Sequence, residues 1–354
     1  MTEQEANEKK HGGRTWKMVL ATVGVLLLGG AAWAYSIWRQ LDAPMLKTPN
    51  TFYLYIDDDD TPDSVYAKLT PVSSETAMKG LRLLAGYYDY AQHLRTGRYA
   101  IEPGERALDV FRQLRSGRQT PVMLTVPEVR TMERMAGRLA AKLMLDSASI
   151  ASALKDETFC VQLGYDTATI ACLFVPNTYE VWWNTSLDAL MQRMKREHDS
   201  FWNNERRQKA EAQGLTPNEV VTLASIIDEE TANQAEKPMI AGMYLNRLHR
   251  GMLLQADPTV KYALRDFTLR RILNQHLEVE SPYNTYKYPG LMPGPIRVPS
   301  VQAVEAVLNP ARHDFLYMCA KEDFSGTHNF ARTLAEHTKN ARRYQQALNA
   351  RGIR

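Results

Sequence analysis

The chain has 354 residues, 44% of them hydrophobic and 23% charged, with a formal net charge of +3, enough for one large or two moderate hydrophobic cores. So small a charge excess gives no electrostatic footprint for nucleic acid. Zinc-finger, P-loop and dinucleotide fingerprints are absent, as are CxxC and HxxxH spacings, so neither a metal nor a cofactor is expected.

Residues 18–37 carry no charge and are long enough to cross a bilayer core. Lys9, Lys10, Arg14 and Lys17 precede the run, and only Arg39 follows closely. The positive-inside rule then puts residues 1–17 in the cytoplasm and the rest outside, with residues 18–38 as a single-pass helix, and the membrane expected is the inner (plasma) membrane. Trp16, Trp33, Tyr35 and Trp38 fall where interface anchors would. Ala32-Trp33-Ala34 resembles a signal-peptidase site, but the apolar run is longer than a usual signal core, which favours an uncleaved anchor. Cys160, Cys172 and Cys319 lie beyond it; one disulfide is open to them, with Cys160 and Cys172 nearest in sequence.

Small α and β units alternate over residues 50–125. The pattern predicts a strand from Thr51, a solvated turn at Asp57–Asp60, helices at 63–69 and 75–93, a strand at 97–101, a helix at 107–115 and a strand at 121–126. From residue 126 the texture is mostly helical: 132–145, 148–155, a long polar-faced helix over 187–213, then 216–232, 235–250 and 333–350. Residues 281–300 hold five prolines and two glycines, the composition of a loop packed onto a site. The fold class is therefore α+β, with a small first domain and a larger, mostly helical second one.

One segment carries chemistry. Thr216 can cap a helix, Pro217 suits its first position and Glu219 completes a capping box. At about 100° per residue, Val220, Leu223, Ile226 and Ile227 form an apolar stripe with Glu230 in its midst. Asp228 points nearly opposite, and Glu229 lies to one flank. A carboxyl group facing a core loses water, its pKa rises, and it becomes a general acid near neutral pH. Taken alone, the segment also admits a helix whose apolar face has ended, with Glu230 in water. Polar residues able to hold a sugar cluster downstream: Gln255, Asp257 and Thr259; Tyr283, Asn284 and Tyr286; His328 and Asn329. Each also has a structural reading as a turn, packing or hydrogen-bonding residue. Gln255, after two leucines, suits a buried strand. No GxSxG elbow supports a serine hydrolase.

The order of these motifs resembles the YceG-like family of endolytic murein transglycosylases, over nearly the whole chain. The strongest stretch is LASIIDEETANQAEKPMIAGMYLNRLHRGMLLQADPTVKYAL, at residues 223–264. It continues in Pro282-Tyr-Asn-Thr-Tyr286, Gly290-Leu-Met-Pro-Gly-Pro295, Phe315-Leu-Tyr317 and His328-Asn-Phe330. The resemblance puts the family's catalytic glutamate on Glu230. Asp228 and Glu229 replace a glutamate and a lysine, and these more acidic surroundings imply a still higher pKa for Glu230. Asn177 stands where the family has an aspartate, which argues against an essential carboxylate there. Glu128-Val129 replaces an expected Glu-Gly. Residues 50–125 look like the family's LysM-like subdomain, and residues 126–354 like its catalytic domain. The resemblance implies peptidoglycan glycan strands as substrate, non-hydrolytic cleavage between N-acetylmuramic acid and N-acetylglucosamine with a 1,6-anhydro product, and association with peptidoglycan synthases. A hydrolase using Asp257 as second carboxylate, or an inactive glycan-binding scaffold, are the alternatives.

Overall fold

A computed structural model describes residues 3–352 apart from Arg270, with side chains from Trp16 on, so most of the charged tail at residues 1–17 lies outside the described side chains. The apolar run becomes the exposed middle of α1 (Glu3–Leu41), whose segment Trp16–Leu41 is long and apolar enough to cross a membrane. The chain divides into two units, residues 1–122 with 182–184, which include this helix, and residues 123–181 with 185–354.

In the first unit, β1 (Phe52–Ile56) pairs antiparallel with β2 (Gly97–Ile101), Leu54 opposite Tyr99. Helices α2 (Pro62–Leu69), α3 (Glu75–Tyr87) and α4 (Ala107–Ser116) complete it. Alternate strand residues Leu54, Ile56, Tyr99 and Ile101 point inward, where Val65, Leu69, Leu81, Val110 and Leu114 meet them. The end of α1 lies against α3 at Gly80, where any Cβ would strike the Gln40 carbonyl. The aspartate turn is not simply solvated. Asp60 is nearly buried and holds the turn together, accepting from Asp57 N (2.9 Å), Ser64 Oγ (2.5 Å) and Lys68 Nζ. The predicted 75–93 helix stops at Tyr87, and a separate 3-10 turn forms at Tyr90–His93.

The second unit runs β3 (Val122–Thr125), α5 (Met132–Ala140), α6 (Ser147–Ala153), α7 (Glu157–Leu163), β4 (Thr178–Val181), α8 (Leu187–Phe201), α9 (Asn204–Ala212), α10 (Pro217–Glu230), α11 (Lys237–His249), α12 (Asp257–Leu264), α13 (Asn274–Leu277), α14 (Val301–Leu308), β5 (Tyr317–Ala320), β6 (His328–Ala331) and α15 (Leu334–Ala350). β3 pairs with β4, and β5 pairs antiparallel with β6, Ala320 opposite His328. The one long helix expected over 187–213 is two. Trp202 turns its ring into the core with ψ at 59°, and Asn203 restarts the chain by capping Arg206 N at 3.0 Å. Arginines take the carbonyls this frees: Arg206 donates to Phe201 O and Arg207 to Trp202 O.

α10 is the centre of this unit. Val220, Leu223, Ile226 and Ile227 are fully buried, and the helix packs against α11, α12 and α14. Its start is the expected capping box, Glu219 N donating to Thr216 Oγ1 and Thr216 N to Glu219 Oε2. The proline-rich loop runs along its last turns. Ile296 N donates to Ser225 Oγ (3.0 Å), Arg297 reaches Glu229, and Ser300 N donates to Asp228 Oδ2 (2.5 Å). All three cysteines are free thiols, so the disulfide that the spacing left open does not form.

Candidate active site

Three acids close α10, and each meets a different environment. Asp228 is nearly buried and pairs with the equally buried Lys237 at 2.5 Å; the Ser300 hydroxyl also donates to it. Glu229 receives both nitrogens of an Arg130 fork at 2.7 Å each, and Arg297 Nη1 at 3.1 Å. Glu230, on the apolar stripe, forms no ion pair with any of the described residues. Its Oε1 accepts only the hydroxyl of Tyr244, at 2.7 Å, from the middle of α11.

Burial dominates the electrostatics of Glu230. Loss of water lifts its carboxyl from the usual 4.5 to about 7, although the Tyr244 hydrogen bond and the charge of His328 pull the other way. Asp257 adds to the rise. The acidic neighbours Asp228 and Glu229 are not among its leading causes; they are ion-paired with Lys237, Arg130 and Arg297. Burial also drives Tyr244 far above the usual phenol range, so it stays a proton donor.

Glu230 keeps part of its surface, and that part opens into a cavity of about 440 Å³. Five of the residues picked out from the sequence line it together: Glu230, Gln255, Asp257, Tyr286 and His328. Asp257, at the first position of α12, accepts the Tyr286 hydroxyl at 2.5 Å. Gln255 lies in a loop rather than on a strand. It holds a left-handed backbone, φ 53°, strained for a residue with a side chain. Its Oε1 accepts from Arg247 Nη2 at 2.6 Å. His328 is held by Glu236, which takes both the His328 backbone N–H (2.6 Å) and Nδ1 (2.9 Å), leaving Nε2 as the free ring nitrogen.

The other four do not line the cavity. Thr259 is wholly buried, donating to Ala256 O and bonded to Thr285 Oγ1. Asn284, also wholly buried, ties its own loop by donating to Leu277 O and Val279 O. Tyr283 packs against Tyr262, ring centres 4.7 Å apart, and Asn329 donates to Glu322 at 2.7 Å. Asn177 is exposed and bonds its neighbour Thr178 N. Sequence reasoning missed Tyr244, Arg247, Tyr317 and His337, which line the cavity, and Glu236 behind His328. Tyr244 and Arg247 are three apart on α11, the spacing of one helix face, which is the signal that was available. Among the described residues no cluster of histidine, cysteine and acidic side chains is arranged to hold a metal.

An α+β domain that places one water-deprived carboxylic acid in a polar cleft, in a chain that begins with an apolar helix, has the layout of an acid–base enzyme working on a polar substrate. Residues 54–343 match the YceG-like family, and the chain belongs to that family. The endolytic murein transglycosylase of Bacillus subtilis (strain 168) is 30% identical over 306 residues, 81% of this chain and 83% of that one. The endolytic murein transglycosylase of Streptococcus pneumoniae serotype 2 (strain D39) is 29% identical over 291 residues, 72% of this chain but 51% of the pneumococcal one, so this chain spans about half of that relative. A YceG-like protein of Listeria monocytogenes, known from a crystal structure, superposes with a TM-score of 0.55 at 26% identity, over 82% of this chain and 99% of that one.

Proposed function

We propose that Glu230 is the single catalytic acid of a lytic transglycosylase, a lyase acting on peptidoglycan. The observation that carries the reading is the buried Glu230 carboxyl, raised to about 7, hydrogen-bonded by Tyr244 and open to a polar cavity. Protonated Glu230 gives its proton to the glycosidic oxygen as the bond from C1 of N-acetylmuramic acid breaks. The C6 hydroxyl of the same sugar closes on C1, and its proton passes to the Glu230 carboxylate. One proton moves from O6 to O4, water takes no part, and the acid is regenerated. A pKa near neutral serves both halves, because the group must give and retake a proton at one pH. Ordinary glycosidases need two carboxyl groups at a set separation.

The finer reading places the enzyme in the inner membrane through residues 18–38, with a cytoplasmic N-terminus and the cavity facing the wall. There it cuts within nascent strands, limits their length, and works beside peptidoglycan synthases. Residues 50–125 serve as a LysM-like glycan-binding subdomain. Asp257, lining the same cavity, supports a second reading, a hydrolase with water as nucleophile. Mass spectrometry of products from the detergent-solubilised chain acting on peptidoglycan separates them. Anhydro ends released from within strands by wild type and not by Glu230→Gln support the transglycosylase. Products heavier by one water establish the hydrolase, and binding without release would leave a scaffold.

A further inference from the structure

Arg247 is the least expected group in the cavity. Only 7% of it is exposed, yet no aspartate or glutamate among the described residues pairs with it. Of its three guanidinium nitrogens, only Nη2 has a hydrogen-bond partner among the described residues, the neutral Gln255 Oε1. Nε is sealed from solvent and has no partner among them. The other buried cation of this unit is treated differently: Lys237 has Asp228, and even the less buried Arg130 and Arg297 share Glu229. A buried cation without an anion costs several kcal/mol, and the protein tolerates this one where it faces the cleft.

The surroundings accommodate an anion. His337 lines the same part of the cavity, stacked on Tyr317 with ring centres 5.4 Å apart, and its Nδ1 is likewise buried without a partner. Burial, reinforced by Arg247, holds the His337 pKa below its usual value, so this ring is a neutral hydrogen-bonding group rather than a second charge. The cavity's two acids are already engaged, Glu230 with Tyr244 and Asp257 with Tyr286. Gln255 is held in its strained backbone with its amide on Arg247, so the guanidinium is fixed before any ligand arrives.

We infer that Arg247, with Gln255 and His337 beside it, forms an anion subsite that binds a carboxylate carried by the glycan strand next to the bond Glu230 attacks. This rests on the proposed peptidoglycan substrate. Two carboxylates of such a strand have the required chemistry, that of the lactyl arm of muramic acid and that of the peptide joined to it. With Nε sealed and one N–H of Nη2 on Gln255, the guanidinium pairs with either through the N–H groups of Nη1 and the second N–H of Nη2, charge-assisted bonds that fix orientation as well as adding affinity. The subsite thus sets which strands are accepted and in what register they lie against Glu230.

The test is binding to the detergent-solubilised full chain carrying Glu230→Gln, which needs no turnover. Two ligand pairs are compared: an N-acetylglucosaminyl-muramic acid disaccharide with its methyl ester, and a disaccharide-peptide with its fully amidated form. The free acid of one pair should bind at least about tenfold tighter than its neutral partner, as expected for a charge-assisted pair. Preference in the first pair assigns the lactyl arm, and preference in the second assigns the peptide. Arg247→Gln should abolish the preference. Gln255→Glu, which supplies an internal carboxylate to Arg247 without emptying the site, should abolish it too and covers the case in which Arg247→Gln does not fold. Equal binding within both pairs, or a preference that survives either substitution, overturns the subsite. Carboxylate-dependent binding by a wild type that forms no anhydro ends would sink the proposed reaction and leave the subsite standing.

Discussion

Tyr244 donates its hydroxyl to Oε1 of Glu230 across 2.7 Å, from α11 to the end of α10, and both groups are withdrawn from water. The bond favours the carboxylate, so it restrains a pKa that burial alone would push further. If protonated Glu230 starts the reaction, kcat/KM falls as pH rises through the pKa of the free enzyme. Tyr244→Phe should move that alkaline limb upward by about one pH unit, the size of one hydrogen bond to a charged group. It should also lower the rate at the optimum, because the carboxylate that retakes the proton is less well stabilised. A pH–rate profile of anhydro-product release checks both; an unmoved limb would mean that Tyr244 does not tune the acid.

The same burial ties stability to pH. The folded pKa of Glu230, about 7, lies above the usual 4.5, so the folded chain binds this proton more tightly than the unfolded one. The resulting stability is complete below about 4.5 and is lost as pH rises through about 7. The difference amounts to at most about 3 kcal/mol, reduced by whatever water reaches the carboxyl from the cleft. Glu230→Gln should therefore melt higher than wild type at pH 8 and nearly with it at pH 5. Thermal melts at the two values decide; an equal shift at both would place the effect in packing rather than ionisation.

Local signals were legible in the sequence where one stretch of chain sets the outcome. Thr216, Pro217 and Glu219 marked the start of α10, and the stripe of Val220, Leu223, Ile226 and Ile227 gave its buried face. The position of Glu230 followed from the same projection. What helical periodicity does not carry is the partner across the interface. Tyr244 comes from α11, Glu236 from the turn before it, and Arg247 is buried by tertiary contacts in a position that reads as an ordinary surface arginine. The same limit explains Thr259 and Asn284, whose polar side chains serve buried loop carbonyls rather than the cleft. The break at Trp202 was hidden because one large apolar residue fits a helix pattern as well as a helix end.

Asp257 offers a substitution of opposite sign to Tyr244→Phe. Its charge raises the Glu230 pKa, so Asp257→Asn should move the alkaline limb downward. It also frees the Tyr286 hydroxyl from its charged acceptor. In a transglycosylase the variant keeps making anhydro ends, with its pH profile displaced. In a hydrolase that relies on Asp257, release falls by orders of magnitude at every pH. Product mass and pH profile together assign the residue to tuning or to chemistry.

The last turn of α10 is fixed by a buried ion pair, and that pair is sensitive to removal of one side. Asp228 and Lys237 are 4% and 7% exposed and 2.5 Å apart, and Ser300 adds its backbone N–H and hydroxyl to the same carboxylate. Lys237→Met leaves the Asp228 charge in place without its cation, which should cost about 3–5 kcal/mol. The double variant Lys237→Met with Asp228→Asn removes the charge while keeping an acceptor for Ser300 N–H, and should recover more than half of that loss. Denaturant unfolding of the three proteins measures the difference. Activity provides the second readout: Asp228 lies two residues before Glu230, so if the pair positions the acid, kcat should fall with Lys237→Met and return in part with the double variant while KM changes little. A double variant as unstable as the single one would mean that Lys237 acts through its packed alkyl chain, and that the end of α10 is held by the Ser225 and Glu229 contacts alone.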